Sequence, residues 1–256
     1  MSAEDVTERI RRVVVQRLES LQRAGVSVLA KASVVEQAPP ALRTASGDAN
    51  ETSCGESVDI STTVGEANQK ELLATVEAEV AVCTLCKELA TTRQQTVFGV
   101  GNPRARLCFF GEAPGADEDR LGEPFVGRAG KLLTDIINKG MGLQRSDVYI
   151  FNVVKCRPPG NRNPSSDEVA NCRDYFERQL DIIQPEFICC LGSVAAHTLL
   201  ETTQSIGRLR GRFHDYRGIK VVVTYHPAYL LRAPSAKKAT WEDIQMLMEE
   251  MGLPVP

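Results

Sequence analysis

The chain has 256 residues, 43% of them hydrophobic, with 30 lysines and arginines against 33 aspartates and glutamates. Its net charge of −3 excludes a protein that binds nucleic acid through an overall positive charge, although a local basic patch would still serve. No apolar run approaches the roughly 20 residues that a membrane-spanning helix needs. The beginning of the chain lacks the apolar core of a secretory signal, so we expect a cytoplasmic protein with no membrane contact.

The chain begins with a segment typical of an amphipathic helix. Apolar residues recur at helical spacing from Val6 to Leu21, and Gly25 follows them. We assign residues 1–31 to this helix, which would pack on the body of the protein or bind a protein partner. Residues 32–69 are rich in small and polar residues and poor in large apolar ones. Because such a composition buries too little surface to fold, this segment is predicted to be a disordered linker.

From residue 70 onward, strand and helix patterns alternate. Apolar runs rich in β-forming residues predict strands at 106–110, 148–154, 187–191 and 221–225. Helical patterns occur at 70–90, 127–139, 166–183, 194–201 and 236–251. This alternation predicts an α/β fold, a three-layer αβα sandwich around a mostly parallel four-stranded sheet, for a single domain at 70–256.

Ligands of such sheets bind beyond the strand ends, which here selects residues 111–115, 152–159, 192–193 and 226–232. Four motifs lie within or close to these segments. GEAPGADED at 111–119 is a tight turn whose backbone amides can face a ligand, with acidic residues behind it. GEPFVGRAG at 122–130 is a glycine-rich approach to a helix, with one aromatic residue at its centre. NVVKCRPP begins at residue 152, and HPAYLLR occupies 226–232.

Eight cysteines are many for a reducing compartment, where metal binding is a better explanation than disulfides. Cys83 and Cys86 form a CxxC pair, whereas Cys156 and Cys172 stand apart. Four thiolates from separate segments suit a [4Fe–4S] cluster. The spacing alone also allows two other interpretations: a zinc site, or core packing of Cys156 and Cys172 without a metal. The cysteines within apolar strand-like runs are interpreted as core residues: Cys108, Cys189 and Cys190.

Taken together, GEAPGxxED, GxPFVGRAG, NVVKCRPPxNRxP and HPAYLLR resemble the motifs of the family 4 uracil-DNA glycosylases. The resemblance covers about residues 71–251. It implies a uracil-DNA glycosylase-like fold and a monomeric enzyme that flips uracil out of single- or double-stranded DNA. The enzyme would hydrolyse the N-glycosidic bond of uracil, leave an abasic site and start base excision repair. The family also implies a structural [4Fe–4S] cluster on the four cysteines Cys83, Cys86, Cys156 and Cys172.

The resemblance assigns the uracil pocket. Phe125 resembles the family's stacking aromatic, and Asn152 resembles the asparagine that reads O4 and N3–H of uracil. An amide both donates and accepts, whereas cytosine would leave buried polar groups mispaired. A backbone amide of the turn that contains Ala113 and Gly115 is expected to hold O2.

For catalysis, His226 is expected to stabilise the charge that develops at O2, either as a neutral donor or as a cation. The GQDPYH motif of better-known uracil glycosylases has a catalytic aspartate in third place, where this chain has Ala113. Glu118 is therefore expected to orient the attacking water, with Glu112 and Asp117 as alternatives.

Base flipping also requires a residue that fills the vacated stack. Leu230 or Leu231 is the expected wedge, and Arg232 with its neighbours Lys237 and Lys238 is expected to hold phosphates.

Two other functions fit parts of the sequence. A subgroup of the superfamily traps DNA covalently through a histidine in a KRRIH-like insertion, which is missing before residues 208–212, and His214 lacks that context. A cluster protein that acts as a redox sensor or a DNA-binding subunit would need none of Phe125, Asn152 and His226. Enzymatic turnover is therefore favoured.

Overall fold

The computed structural model describes residues 60–255, with side chains from residue 68 onward. The predicted helix at 1–31 and the linker up to residue 59 lie outside these residues. The linker prediction is wrong for 60–69, because helix α1 begins at Ile60 and ends at Ala81. A helix that is fixed by packing further along extends at little cost into weakly helix-forming sequence, which composition alone does not reveal.

The remaining helices of the described chain are mostly short. They are α2 (Lys87–Thr92), α3 (Ala116–Leu121), α4 (Arg128–Asp135), α5 (Ser166–Ile183), α6 (Ser193–Leu200), α7 (Ile206–Leu209), α8 (Pro227–Arg232) and α9 (Ala236–Met251). A π-helical turn at Ile136–Gly140 extends α4, and 3-10 turns lie at Arg145–Asp147 and Pro159–Asn161. The predicted helix at 70–90 is divided between α1 and α2, and the break carries the CxxC pair. No described helix is long and apolar enough to cross a membrane.

The strands are β1 (Val100–Gly101), β2 (Leu107–Gly111), β3 (Tyr149–Asn152), β4 (Phe187–Leu191), β5 (Phe213–Tyr216) and β6 (Ile219–Thr224). They form one sheet in the order β1-β3-β2-β4-β6-β5. The four predicted strands are β3, β2, β4 and β6, and they pair in parallel at its centre. The sheet of the described residues has six strands rather than four, because β1 and β5 add antiparallel edges. Edge strands need no continuous apolar run, so the pattern did not mark them.

Helices cover both faces of the sheet, which confirms the mostly parallel α/β fold. Successive strand residues point to opposite faces. Phe110 and Cys190 join the cluster that contains apolar residues of α1, α5 and α6. Phe109 and Cys189 join the cluster that contains residues of α4 and α9. Cys108, Cys189 and Cys190 are fully buried in these clusters, as the sequence predicts.

The register of the central strands positions the site. Gly111, at the end of β2, lies beside Asn152 at the end of β3. Leu191 lies beside Thr224 where β4 and β6 end. The four strand-end motifs therefore meet at one edge of the sheet.

Candidate active site

A cavity of about 630 Å³ lies at this edge, within the size range of small-molecule sites. Its walls include most of the predicted catalytic and substrate-binding residues: Glu112, Ala113, Gly115, Glu118, Phe125, Asn152 and His226. Arg232 also lines it, whereas Leu230 and Leu231 do not. The structure thus brings together residues that lie more than a hundred positions apart in the sequence.

Phe125 is buried in the cavity wall and has a left-handed backbone, with φ of 55°. Such a conformation in an aromatic residue is held only by its surroundings. Two glycines leave the space that Phe125 occupies. A Cβ on Gly130 would lie 1.9 Å from the backbone oxygen of Phe125, and a Cβ on Gly111 would lie 2.7 Å from the Phe125 ring. The ring centroid is 5.6 Å from that of His226. Phe125 therefore presents a fixed apolar surface beside the histidine.

Asn152 is buried next to this ring, and its Oδ1 has no hydrogen-bond partner among the described residues. A buried acceptor without a partner costs about 1–3 kcal/mol, so it marks a position where a ligand or water donates. A Cβ on Gly111 would lie 2.3 Å from this oxygen. The absence of a side chain at Gly111 thus leaves space for both Asn152 and Phe125.

His226 precedes α8, and its Nδ1 accepts the N–H of Ala228 at 3.1 Å. Burial and, to a smaller extent, the charge of Arg232 lower the pKa of the imidazole to about 4, against an opposing effect of Glu118. At neutral pH the ring is therefore neutral. With Nδ1 as acceptor, the proton lies on Nε2. His226 was predicted to act either as a neutral donor or as a cation, and the geometry favours the neutral donor.

Glu118 holds the loops around Phe125 in place by accepting hydrogen bonds from their backbone. One carboxylate oxygen accepts the N–H groups of Val126 at 2.9 Å and Gly127 at 3.0 Å. The other accepts the N–H of Gly115 at 3.1 Å. Three backbone bonds fix this carboxylate, which disfavours the predicted water-orienting role. They also engage the Gly115 amide that was expected to hold O2.

The other two acids of this turn differ. Glu112 lines the cavity, burial raises the pKa of its carboxyl, and the carboxylate has no hydrogen-bond partner within the described part of the chain. Asp117 is exposed and pairs with Arg120 at 3.4 Å. Glu112 is thus the carboxylate that remains available to a water or a sugar.

Helix α8 separates the two predicted wedge leucines. Leu230 is 1% exposed and packs inside the protein, so its predicted contact with DNA is wrong for this conformation. Leu231 is 38% exposed. The helical turn of α8, which sequence did not predict, rotates successive residues by about 100° and causes this difference.

Sequence reasoning overlooked other parts of the cavity rim. Tyr225 and Tyr229 line the cavity, and their ring centroids lie 5.2 Å apart. Arg162, also in the lining, pairs with Glu88 at 2.8 Å and with Glu168 at 2.7 Å. The NRNP and HPAYLLR motifs contain Arg162 and Tyr229, but a motif does not show which side chains reach the rim.

The four predicted metal-binding cysteines come from three segments and lie within electrostatic range of one another. Burial raises the pKa of the Cys156 thiol, a hydrogen bond from Arg93 lowers it, and the thiols of Cys83 and Cys86 raise it. Burial, together with smaller effects of Cys156 and Cys86, raises the pKa of the Cys172 thiol to about 11, against an opposing effect of Lys155.

Neighbouring side chains donate hydrogen bonds to two of these cysteine sulfurs. The Arg93 guanidinium donates to Cys156 Sγ at 3.0 Å, and the Asn171 amide donates to Cys86 Sγ at 3.4 Å. No group of His, Cys, Asp and Glu in the described region is arranged to hold a metal ion. In a cubane each thiolate binds a different iron, so the thiolates lie further apart than around a single ion. The donor set fits such a cluster, and its presence stays a prediction.

The comparison with known proteins agrees with the fold and the cavity. The family model of the uracil DNA glycosylase superfamily matches residues 98–245, which defines the class of protein. A type-4 uracil-DNA glycosylase of Archaeoglobus fulgidus is 44% identical over 195 residues, which cover 73% of this chain and 96% of that protein. One of Thermotoga maritima is 44% identical over 181 residues, 69% of this chain and 93% of that protein. The chain belongs to the type-4 uracil-DNA glycosylases.

A more distant relative is a type-5 uracil-DNA glycosylase of Pyrobaculum aerophilum. It is 32% identical over 148 residues, which cover 51% of this chain and 64% of that protein.

Proposed function

We propose that this protein is a uracil-DNA glycosylase, which flips uracil out of DNA and hydrolyses its N-glycosidic bond. The reaction leaves an abasic site and starts base excision repair. The buried, unpartnered Oδ1 of Asn152 beside the ring of Phe125 is the observation that carries this proposal. The names of the relatives support the same activity.

Recognition of the base follows from hydrogen-bond chemistry. Asn152 Oδ1 accepts the N3–H of uracil and its amide nitrogen donates to O4, while the Phe125 ring stacks on the base. Cytosine has a lone pair at N3, which would face the amide oxygen and leave both buried acceptors unpaired. A site built for one hydrogen-bond pattern strongly rejects the analogue that lacks it.

Cleavage breaks the bond between C1′ and N1 of uracil, and the electron pair of that bond leaves with the base. The neutral His226 donates from Nε2 to O2, where negative charge accumulates, so it needs no proton transfer to act. Glu112 offsets the positive charge of the sugar and orients the water that adds to C1′. Glu118 acts through the loops that it braces, although it was the first expectation for the water-orienting role.

Binding of DNA uses the rim of the cavity. Leu231 fills the space that the flipped base leaves, and Arg232 holds a phosphate on the same side. Lys237 and Lys238, both exposed at the start of α9, extend this local basic surface.

We also propose a [4Fe–4S] cluster on Cys83, Cys86, Cys156 and Cys172. Because the hydrolysis transfers no electrons, the bound cluster would supply only a cross-link between three chain segments. Zinc is the alternative metal, and iron analysis with the visible absorption of a cluster distinguishes the two. A monomer in the cytoplasm and a protein partner for residues 1–31 are further expectations.

Incubation with a single-stranded and a duplex oligonucleotide, each with one uracil, tests the activity. We expect a strand break at the uracil after alkali treatment. Intact strands with iron-loaded protein would refute the proposal. A covalent protein–DNA band would instead assign the chain to the histidine-trapping subgroup.

A further inference from the structure

Lys155 is a buried lysine between the uracil pocket and the cysteine site. Its side chain is 1% exposed. The ammonium donates to the backbone oxygen of Asn152 at 2.8 Å and to Oε1 of Gln179 at 2.5 Å. Gln179 is in turn held by bonds from its Nε2 to the backbone oxygen of Phe98 and to the hydroxyl of Tyr149. The network fixes the ammonium against the backbone of the residue that reads uracil.

The charge of Lys155 has no carboxylate partner in the described chain. Its ammonium lies 4.9 Å from the centroid of the Phe151 ring and 5.9 Å from that of Phe98. Amide oxygens and ring faces offset only part of the cost of burying a charge, which normally requires a counter-charge. The ionisable groups beside it are the thiols of Cys156, which is the next residue, and of Cys172, whose pKa is lowered by the backbone N–H and the charge of Lys155.

An apolar residue of equal size would fill this space without the desolvation cost. Replacing a buried charge with a well-packed hydrophobic residue is often neutral or stabilising. Stability therefore gives no reason for a lysine at this position. The position of the lysine between the Asn152 backbone and the cysteine thiols gives a functional reason instead.

We propose that Lys155 is a positioning residue that couples the four-cysteine site to uracil recognition. Its ammonium holds the backbone oxygen of Asn152, which sets the direction of the side-chain amide toward the base. Thiolates that carry the cluster balance its charge from the other side. This inference rests on the proposed function and on the proposed cluster.

The Lys155→Met variant of the full-length, cluster-loaded protein tests the coupling to uracil. We expect affinity for free uracil, measured by calorimetry, to fall about tenfold, the equivalent of one hydrogen bond of about 1.4 kcal/mol. Affinity for duplex DNA with an abasic-site analogue should not change, because that ligand has no base for Asn152 to read. Equal loss of both affinities, or loss of neither, would overturn the inference.

Lys139→Met is the matched control, because Lys139 is exposed and pairs with Asp135 on the surface. This variant should keep both affinities. If Lys155→Met does not fold, Lys155→Gln replaces it and keeps an N–H donor group, the amide NH2, without the charge. Its uracil affinity should lie between those of the wild type and a pocket variant, Asn152→Ala, and a wild-type value would refute the coupling.

The midpoint potential of the cluster provides an independent readout. Removal of a positive charge beside the thiolates disfavours the extra electron, so Lys155→Met and Lys155→Gln should have lower potentials than the wild type and Lys139→Met. An unchanged potential would show that Lys155 does not balance the cluster. Wild-type protein that excises no uracil would refute the proposed function, whereas an active wild type with unaffected Lys155 variants would refute this inference alone.

Discussion

At the scale of single residues, the proposed chemistry depends on a histidine that stays neutral. Burial holds the pKa of His226 at about 4 instead of 6.5. We expect kcat/KM to be insensitive to His226 down to about pH 5 and to fall as the pH approaches 4. A pH–rate profile checks this, and an acid limb near pH 6.5 caused by His226 would contradict it.

The same shift has a consequence for stability. Since the folded pKa lies below the unfolded value, the unfolded chain binds the proton more readily between pH 6.5 and 4. The stability contribution of the neutral ring is therefore present above pH 6.5 and lost as the pH falls toward 4. In His226→Gln, thermal unfolding should depend less on pH within this window.

Two glutamates of one turn should respond differently to the same substitution. Glu112→Gln should lower kcat by about 10²-fold or more with little change in Tm, because its carboxylate accepts no hydrogen bond from the described residues. Glu118→Gln should lower Tm as well as activity, since its amide would meet a backbone N–H that now donates to a carboxylate. Turnover and thermal unfolding of both variants test this, and a stable but inactive Glu118→Gln would restore its water-orienting role.

At the scale of elements, the end of β2 controls the shape of the pocket. Gly111→Ala would place a Cβ against Asn152 Oδ1 and the Phe125 ring, so uracil excision should fall at least about a hundredfold while the sheet persists. Gly207→Ala is the matched control, because among the described residues no atom outside its chain neighbours and its own helix backbone would lie within 4 Å of the new Cβ. Near-normal activity in Gly111→Ala would show that the pocket tolerates a displaced asparagine or phenylalanine.

The strands differ in how well the sequence predicts them. The four central strands were predictable because β2, β3, β4 and β6 are continuous apolar runs. The two-residue β1 and the polar β5, Phe213–Tyr216, lack such runs and were missed. The strand ends marked the segments that contain Asn152 and His226, and the resemblance to the family then implied the roles of these two residues.

Other features depend on tertiary structure. The backbone N–H groups donate to Glu118 only because the chain folds residues 115, 126 and 127 around one carboxylate. Likewise, the choice between Leu230 and Leu231 depends on the rotation of α8. The parallel register brings Gly111 to Asn152, and no local pattern contains that contact.

At the scale of the whole molecule, the cysteine site joins the end of α1, the loop after β3, and α5. If the proposed cluster is bound, Cys83→Ser should lose iron and lower Tm, since the cluster would no longer link these segments. Cys189→Ala removes a core thiol that is no predicted ligand, so it should keep its iron. Iron analysis and thermal unfolding of the two variants check the assignment, and full iron content in Cys83→Ser would contradict it.

We predict that this cavity removes uracil and discriminates against other pyrimidines. Chromatography of the free bases released from oligonucleotides that differ only in one uracil, thymine or cytosine tests it most directly. We expect the wild type to release uracil alone and Asn152→Ala to release it at a much lower rate. Absence of free uracil, or equal release of cytosine, would contradict the account.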